Sequence, residues 1–178
     1  MYQALRLLVG SQATKRAFLD NAAVSNIVHF AGHGVVRPEA PLLSHLVLAT
    51  DTTDATAGTL TARDLFDLRL PRTRLAILSG CHTGSGRLSD TEGASSLARA
   101  LFAAGVPAVI ASLWAVDDEA TAEFFASYHR RLSRGEDPTS ALVRTQREWM
   151  ARDRGWHGAS TWAAFALFGA TTREVPDR

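Results

Sequence analysis

Cysteine and lysine are almost missing from this chain. Its 178 residues include one cysteine, Cys81, and one lysine, Lys15. A single thiol cannot form an internal disulfide, so nothing in the composition points to an oxidising compartment. The remaining basic residues are arginines, scattered instead of gathered into a stripe, and the imbalance reads as coding bias. With a formal net charge of +1, the cationic footprint of a nucleic-acid binder is absent. No run approaches the roughly 18 apolar residues of a membrane helix, and Met1 to Gly10 lacks a long apolar stretch followed by a small-residue cleavage site. The expectation is a soluble, cytoplasmic protein that engages neither nucleic acid nor membrane. Hydrophobic residues at 46% and charged residues at 21% are ordinary globular usage, which excludes a disordered or fibrous chain. The length suits one domain, read as residues 1–178.

Along the chain, helical and strand periodicities alternate. Ala13 to Ala22 reads as a short helix, and Ile27-Val28-His29-Phe30-Ala31 as a buried strand broken by the glycines on either side of His33. Leu46 to Leu48 reads as a second strand and Asp51 to Gly58 as a polar turn. Thr61 followed by Asp64 has capping-box spacing and predicts a short helix. Leu75 to Ser79 is a further buried strand that runs directly into Gly80-Cys81. Ser89 and Glu92 repeat the capping-box spacing ahead of a helix with Leu97, Leu101 and Phe102 on its apolar face, closed by Gly105. Val109 to Leu113 is the next strand. Asp117 and Asp118 occupy N-cap positions before a stripe of Ala120, Phe124, Tyr128 and Leu132. Asp137-Pro138 caps one more helix through Leu142 and Trp149, and Trp162 to Phe168 reads as a closing strand. Strands alternating with helices predict an α/β fold, a mostly parallel sheet covered on both faces.

In such sheets functional groups collect beyond the C-terminal strand ends. Two ends carry chemistry: one leads into Gly32-His33-Gly34, the other into Gly80-Cys81. A thiol beside an imidazole suits acyl transfer, because the thiolate fraction can be raised and the leaving amine protonated. Flanking glycines let backbone N–H groups reach a developing oxyanion, and those of Gly34 and Cys81 are the candidates. His33 precedes Cys81 by close to the roughly 50 residues that separate the histidine and cysteine of caspases.

The segment Val28 to Gly34 resembles the strand-plus-HG motif of the caspase, gingipain and separase group of cysteine peptidases. Leu78-Ser79-Gly80-Cys81-His82-Thr83-Gly84 resembles their strand-plus-cysteine motif in the form found in CHAT domains, caspase-related domains often attached to TPR repeats. Gly58 to Ala62, Glu92-Gly93-Ala94 with Leu97 to Ala100, Ala111 to Asp118, and Trp162 to Phe165 match in the same order. The resemblance runs from about Gly10 to Gly169. It implies a caspase-like three-layer α/β/α sandwich and endopeptidase chemistry on protein or peptide substrates, with Cys81 attacking the scissile carbonyl and His33 assisting. It also implies a TPR-containing or other regulatory partner. The segment after Trp114 is similar to the part of separase in which an acidic residue receives a P1 arginine. That role falls on Asp118, with Asp117 beside it. His82 stands where many CHAT domains carry an acidic residue, and Gly80 where alanine is usual. Members begin with further elements upstream of the region matching Leu7 to Gly10, so the chain reads as truncated at its N-terminus.

Other readings stand beside these. Cys81 can be a buried structural thiol, His29 and His45 read as structural, Glu92 as a cap, and Trp114 and Trp162 as core. A zinc site from His29, His33, Cys81 and His82 fits no familiar ligand spacing. The glycine-rich loop from Gly80 to Gly86 lacks a P-loop lysine. No metal or cofactor is expected. The alternative function is a catalytically silent, caspase-like scaffold in a signalling or defence assembly.

Overall fold

The structure is a computed structural model, and it describes residues 4–50, 55–80, 91–152 and 156–170. The Ser89 half of the second predicted capping box, and Cys81 itself, lie outside these residues.

The main sheet has four strands in the order β1 (Ile27–Phe30), β5 (Leu75–Leu78), β6 (Ala108–Ser112) and β7 (Phe165–Gly169). The first three run parallel and β7 is antiparallel to β6. This is the mostly parallel, caspase-like α/β sheet that the strand and helix pattern predicted. β5 and β6 are buried at every position, as expected for central strands covered on both faces.

The pleat sorts their side chains into two cores. Phe30, Ala76, Leu78, Val109 and Ala111 face α1 (Lys15–Ala22), α2 (Ala62–Phe66) and α3 (Thr91–Ala103). Leu75, Ile77, Ala108 and Ile110 face α4 (Asp118–Ser133) and α5 (Pro138–Arg152), with Phe124, Phe125 and Tyr128 filling the layer. Alternate residues of one strand therefore serve opposite layers, and a one-residue slip would exchange both sets.

Local chemistry starts the helices where the sequence indicated. Thr14 caps α1 by accepting from the Ala17 N–H at 3.2 Å. Thr61 and Asp64 form a full capping box on α2, and Lys15 reaches the same Asp64 carboxylate at 2.9 Å. Asp137 accepts from the N–H groups of Thr139 and Ser140 at the start of α5. Gly105, with φ of +99°, ends α3.

Two expectations change. The Leu46 strand does not join the main sheet. It is β3 (His45–Val47), the centre of a separate antiparallel sheet with β2 (Gly34–Val35) and β4 (Thr59–Thr61). Strands this short carry too few residues to show an alternating pattern. The closing strand starts later than Trp162, which instead ends α6 (Trp156–Trp162).

Candidate functional site

Parallel pairing brings the C-terminal ends of β1, β5 and β6 to one edge. β1 and β5 stay in register as far as Phe30 and Leu78, and the Ser79 N–H then donates to the Phe30 carbonyl at 2.9 Å. Beyond this the strand-end loops are tied to each other. The Gly34 N–H donates to the Gly80 carbonyl at 3.0 Å, and the Val47 N–H of β3 donates to the His33 carbonyl at 2.8 Å. His33 therefore sits in a short link fastened at both ends, and its side chain is exposed.

The contact between the two glycine turns is close. A Cβ on Gly80 would lie 1.7 Å from the Gly32 carbonyl oxygen. The glycine at 80, where the resemblance makes alanine usual, thus lets the HG turn seat against the strand leading into Cys81. Of the two expected oxyanion donors, the Gly34 N–H is engaged by Gly80 in this structure, and Cys81 lies outside the described residues.

The two aspartates separate. Asp117 is the N-cap of α4, its Oδ1 accepting from the Ala120 N–H at 2.9 Å. Asp118 is the first residue of the helix, and both are exposed. Removing the cap in Asp117→Ala is expected to cost about 1 kcal/mol of stability. Asp118→Ala is expected to stay within about 0.5 kcal/mol of the parent, and urea denaturation of the two variants reads the difference. Trp114 is not a core residue: it is 40% exposed and anchored by its indole N–H, which donates to the Ser160 carbonyl at 2.7 Å. Trp162 is partly buried against the α4 and α5 layer, and the ring of His45 lies 2.9 Å from the Leu43 carbonyl.

His29, structural by its place in β1, has partners that no local pattern indicates. Its Nε2 lies 2.6 Å from the Ser79 hydroxyl and its Nδ1 2.9 Å from Nε2 of His129 in α4. The imidazole of His29 packs against Phe125 at a centroid distance of 4.8 Å. Burial, and then the neighbouring charge of His129, push the His29 pKa from 6.5 down to about 3. Burial also lowers that of His129. Both rings are held neutral near pH 7. Ser79 stands two residues before Cys81 in the chain, but His129 lies 100 positions from His29 and no sequence signal joins them. With both its nitrogens taken, His29 has no lone pair to share with His33. Among the described residues, no group of three or more His, Cys, Asp or Glu side chains is set to hold a metal. No helix among them is long and apolar enough to cross a membrane.

A family model described as the CHAT domain matches residues 2–170. Tetratricopeptide repeat protein 28 of Mus musculus is 28% identical over 202 aligned residues, covering 93% of this chain and 8% of that protein. The Homo sapiens protein of the same name is 26% identical over 197 residues, again covering 93% of this chain and 8% of the relative. The chain thus spans a small part of the length of these relatives. Its caspase-like α/β sheet, its HG turn closed on the strand before the cysteine, and a family match over nearly all residues lead to one conclusion: the chain belongs to the CHAT-domain family.

Proposed function

We propose that the chain is a cysteine endopeptidase domain, with Cys81 as nucleophile and His33 as its acid–base partner. The observation that carries this reading is the Gly34 N–H to Gly80 carbonyl bond of 3.0 Å. It ties the turn bearing His33 to the residue immediately before the thiol. Attack of the Cys81 thiolate on a peptide carbonyl forms a C–S bond and a tetrahedral oxyanion. His33 then delivers a proton to the leaving amine as the C–N bond breaks, and water releases the acyl group from sulfur. The Cys81 N–H and, once released from Gly80, the Gly34 N–H receive the oxyanion. Asp118 is the residue proposed to select a basic P1 side chain, beside the Asp117 cap. No cofactor enters this chemistry. The names of the relatives carry tetratricopeptide repeats, which supports a TPR-containing regulatory partner, and the proposed setting is cytoplasmic.

The test is turnover of a fluorogenic peptide library with varied P1. Cys81→Ala and His33→Ala are each expected to lower kcat/KM by about 10³-fold or more, and Asp118→Ala to erode any preference for P1 Arg or Lys. A wild-type chain that cleaves nothing while Cys81 remains open to alkylation would favour a second reading, a silent scaffold module.

A further inference from the structure

Placing an imidazole pair between β1 and α4 is costly, because desolvated polar groups are stable only when their hydrogen-bonding capacity is met. Apolar side chains would fill the same layer without that demand. Ile77, the neighbour of His29 in the register, does so. Both nitrogens of His29 are nevertheless satisfied, one by His129 and one by Ser79. The direction of the arrangement is informative. It runs from the helix, through the strand bearing the HG turn, to the last residue of β5's neighbourhood that is still tied to β1.

We propose that His29 is a positioning residue of the candidate site: braced by His129, it holds the Ser79 hydroxyl and so fixes the exit of the strand that leads into Cys81. The inference rests on the peptidase reading above for its consequence in turnover, and on the described geometry for the bracing itself. The Ser79 N–H already binds the Phe30 carbonyl at 2.9 Å. A second, side-chain bond from the adjacent residue His29, at 2.6 Å, removes the remaining rotation of Ser79 and steadies the chain just before Gly80. Two proton arrangements are compatible with the His129–His29–Ser79 contacts, and the first also lets the Ser79 hydroxyl donate to Phe30. In one, His129 donates to His29, His29 to Ser79, and the Ser79 hydroxyl to the Phe30 carbonyl at 3.5 Å. In the other, Ser79 donates to His29 and His29 to His129. Both keep each ring neutral, and both restrain the same hydroxyl. The Phe125 ring on His29, with a tilted contact of 5.0 Å between the two imidazoles, holds the rings in place. Misplacement of a reacting group by about 1 Å can cost as much as 10²-fold in rate, so a restraint two residues before Cys81 in the chain bears on chemistry.

The experiment uses the whole chain and four proteins: wild type, Ser79→Ala, His129→Phe and His129→Tyr. Phenylalanine keeps the aromatic bulk against Phe125 but gives Nδ1 of His29 no partner. Tyrosine adds back one hydroxyl that donates to Nδ1. Two rates are read at one pH: peptide turnover, and alkylation of Cys81, the chain's one thiol, by iodoacetamide. Ser79→Ala and His129→Phe are expected to lower kcat about tenfold with KM held within about twofold. They are also expected to shift the alkylation rate by about fivefold, with His129→Tyr recovering most of each loss. In the wild type, through-bond ¹⁵N coupling between the two rings is the spectroscopic signature of the shared proton. If Ser79→Ala does not fold, the Phe and Tyr pair decides alone. Variants that fold and show both rates unchanged overturn the inference and leave the peptidase reading standing. A wild type without turnover, whose alkylation rate still responds as described, removes the peptidase reading and keeps the positioning role.

Discussion

Gly80→Ala is expected to lower stability by about 3 kcal/mol and to separate the two strand ends that define the site. The new Cβ would lie 1.7 Å from the Gly32 carbonyl oxygen, 2.6 Å from its nitrogen and 2.7 Å from its carbonyl carbon. These are backbone atoms, so no side chain can swing aside, and position 32 is already glycine. The chain must move, and overpacking of this kind costs about 1–3 kcal/mol. Movement also breaks the Gly34 N–H to Gly80 carbonyl bond, worth about 1 kcal/mol more. In a domain of this size the loss corresponds to a fall in Tm of about 6–12 °C. Thermal denaturation by circular dichroism measures it, and the rate of Cys81 alkylation reports whether the strand exit has shifted. An alanine variant with the parental Tm would show that the two turns do not approach as closely as described.

Acid is expected to weaken the fold well above the range in which carboxylates titrate. His29 and His129 have folded pKa values below their ordinary 6.5. As pH falls through 6.5, the unfolded chain binds protons that the folded chain refuses, so stability rises with pH and is lost on acidification. Their contribution is full above about pH 6.5 and declines until the pH reaches the folded value of His29 near 3. At about 1.4 kcal/mol per unit, His29 alone implies a loss of about 2 kcal/mol between pH 7 and pH 5. Among the described residues, His129 is the titratable group that acts on His29.

Asp64 belongs to a lower window. Burial raises its pKa, but the bonds from Lys15 and Thr61 outweigh burial and hold it below 3.8. Its stabilisation is therefore present above the unfolded value and lost only as pH falls below it. Urea midpoints at pH 7, 6 and 5 resolve the histidine window. His129→Tyr, which carries no group titrating there, should lower the slope, leaving the part that comes from the burial of His29 itself. An unchanged slope in that variant would remove His129 from the acid response and leave it to His29 or to groups elsewhere in the chain.

The features legible in the chain alone are local or periodic. The run Leu75 to Leu78 had to be a buried strand because every position is apolar and β-branched or aliphatic residues dominate. The capping box of Thr61 and Asp64, the Asp117 cap and the stop at Gly105 follow from side chains and backbone within a few residues. The motifs around His33 and Cys81 made the family legible for the same reason, since each is a strand end followed by a short glycine-bounded turn.

Which separate segments meet depends on the assembled fold. β3 reads as one more strand, yet its partners are β2 and β4, because a three-residue strand takes its sheet from whichever edges the loops bring near. Gly80 departs from an alanine pattern because Gly32, distant in sequence, occupies the space a Cβ would take. His29 and His129 are joined because strand pleat turns one imidazole toward the α4 layer and helix periodicity turns the other to face it. Such contacts depend on register between elements, which no local pattern encodes, and one of them, the Gly34 N–H to Gly80 carbonyl bond, holds the turn bearing His33 against the exit of β5.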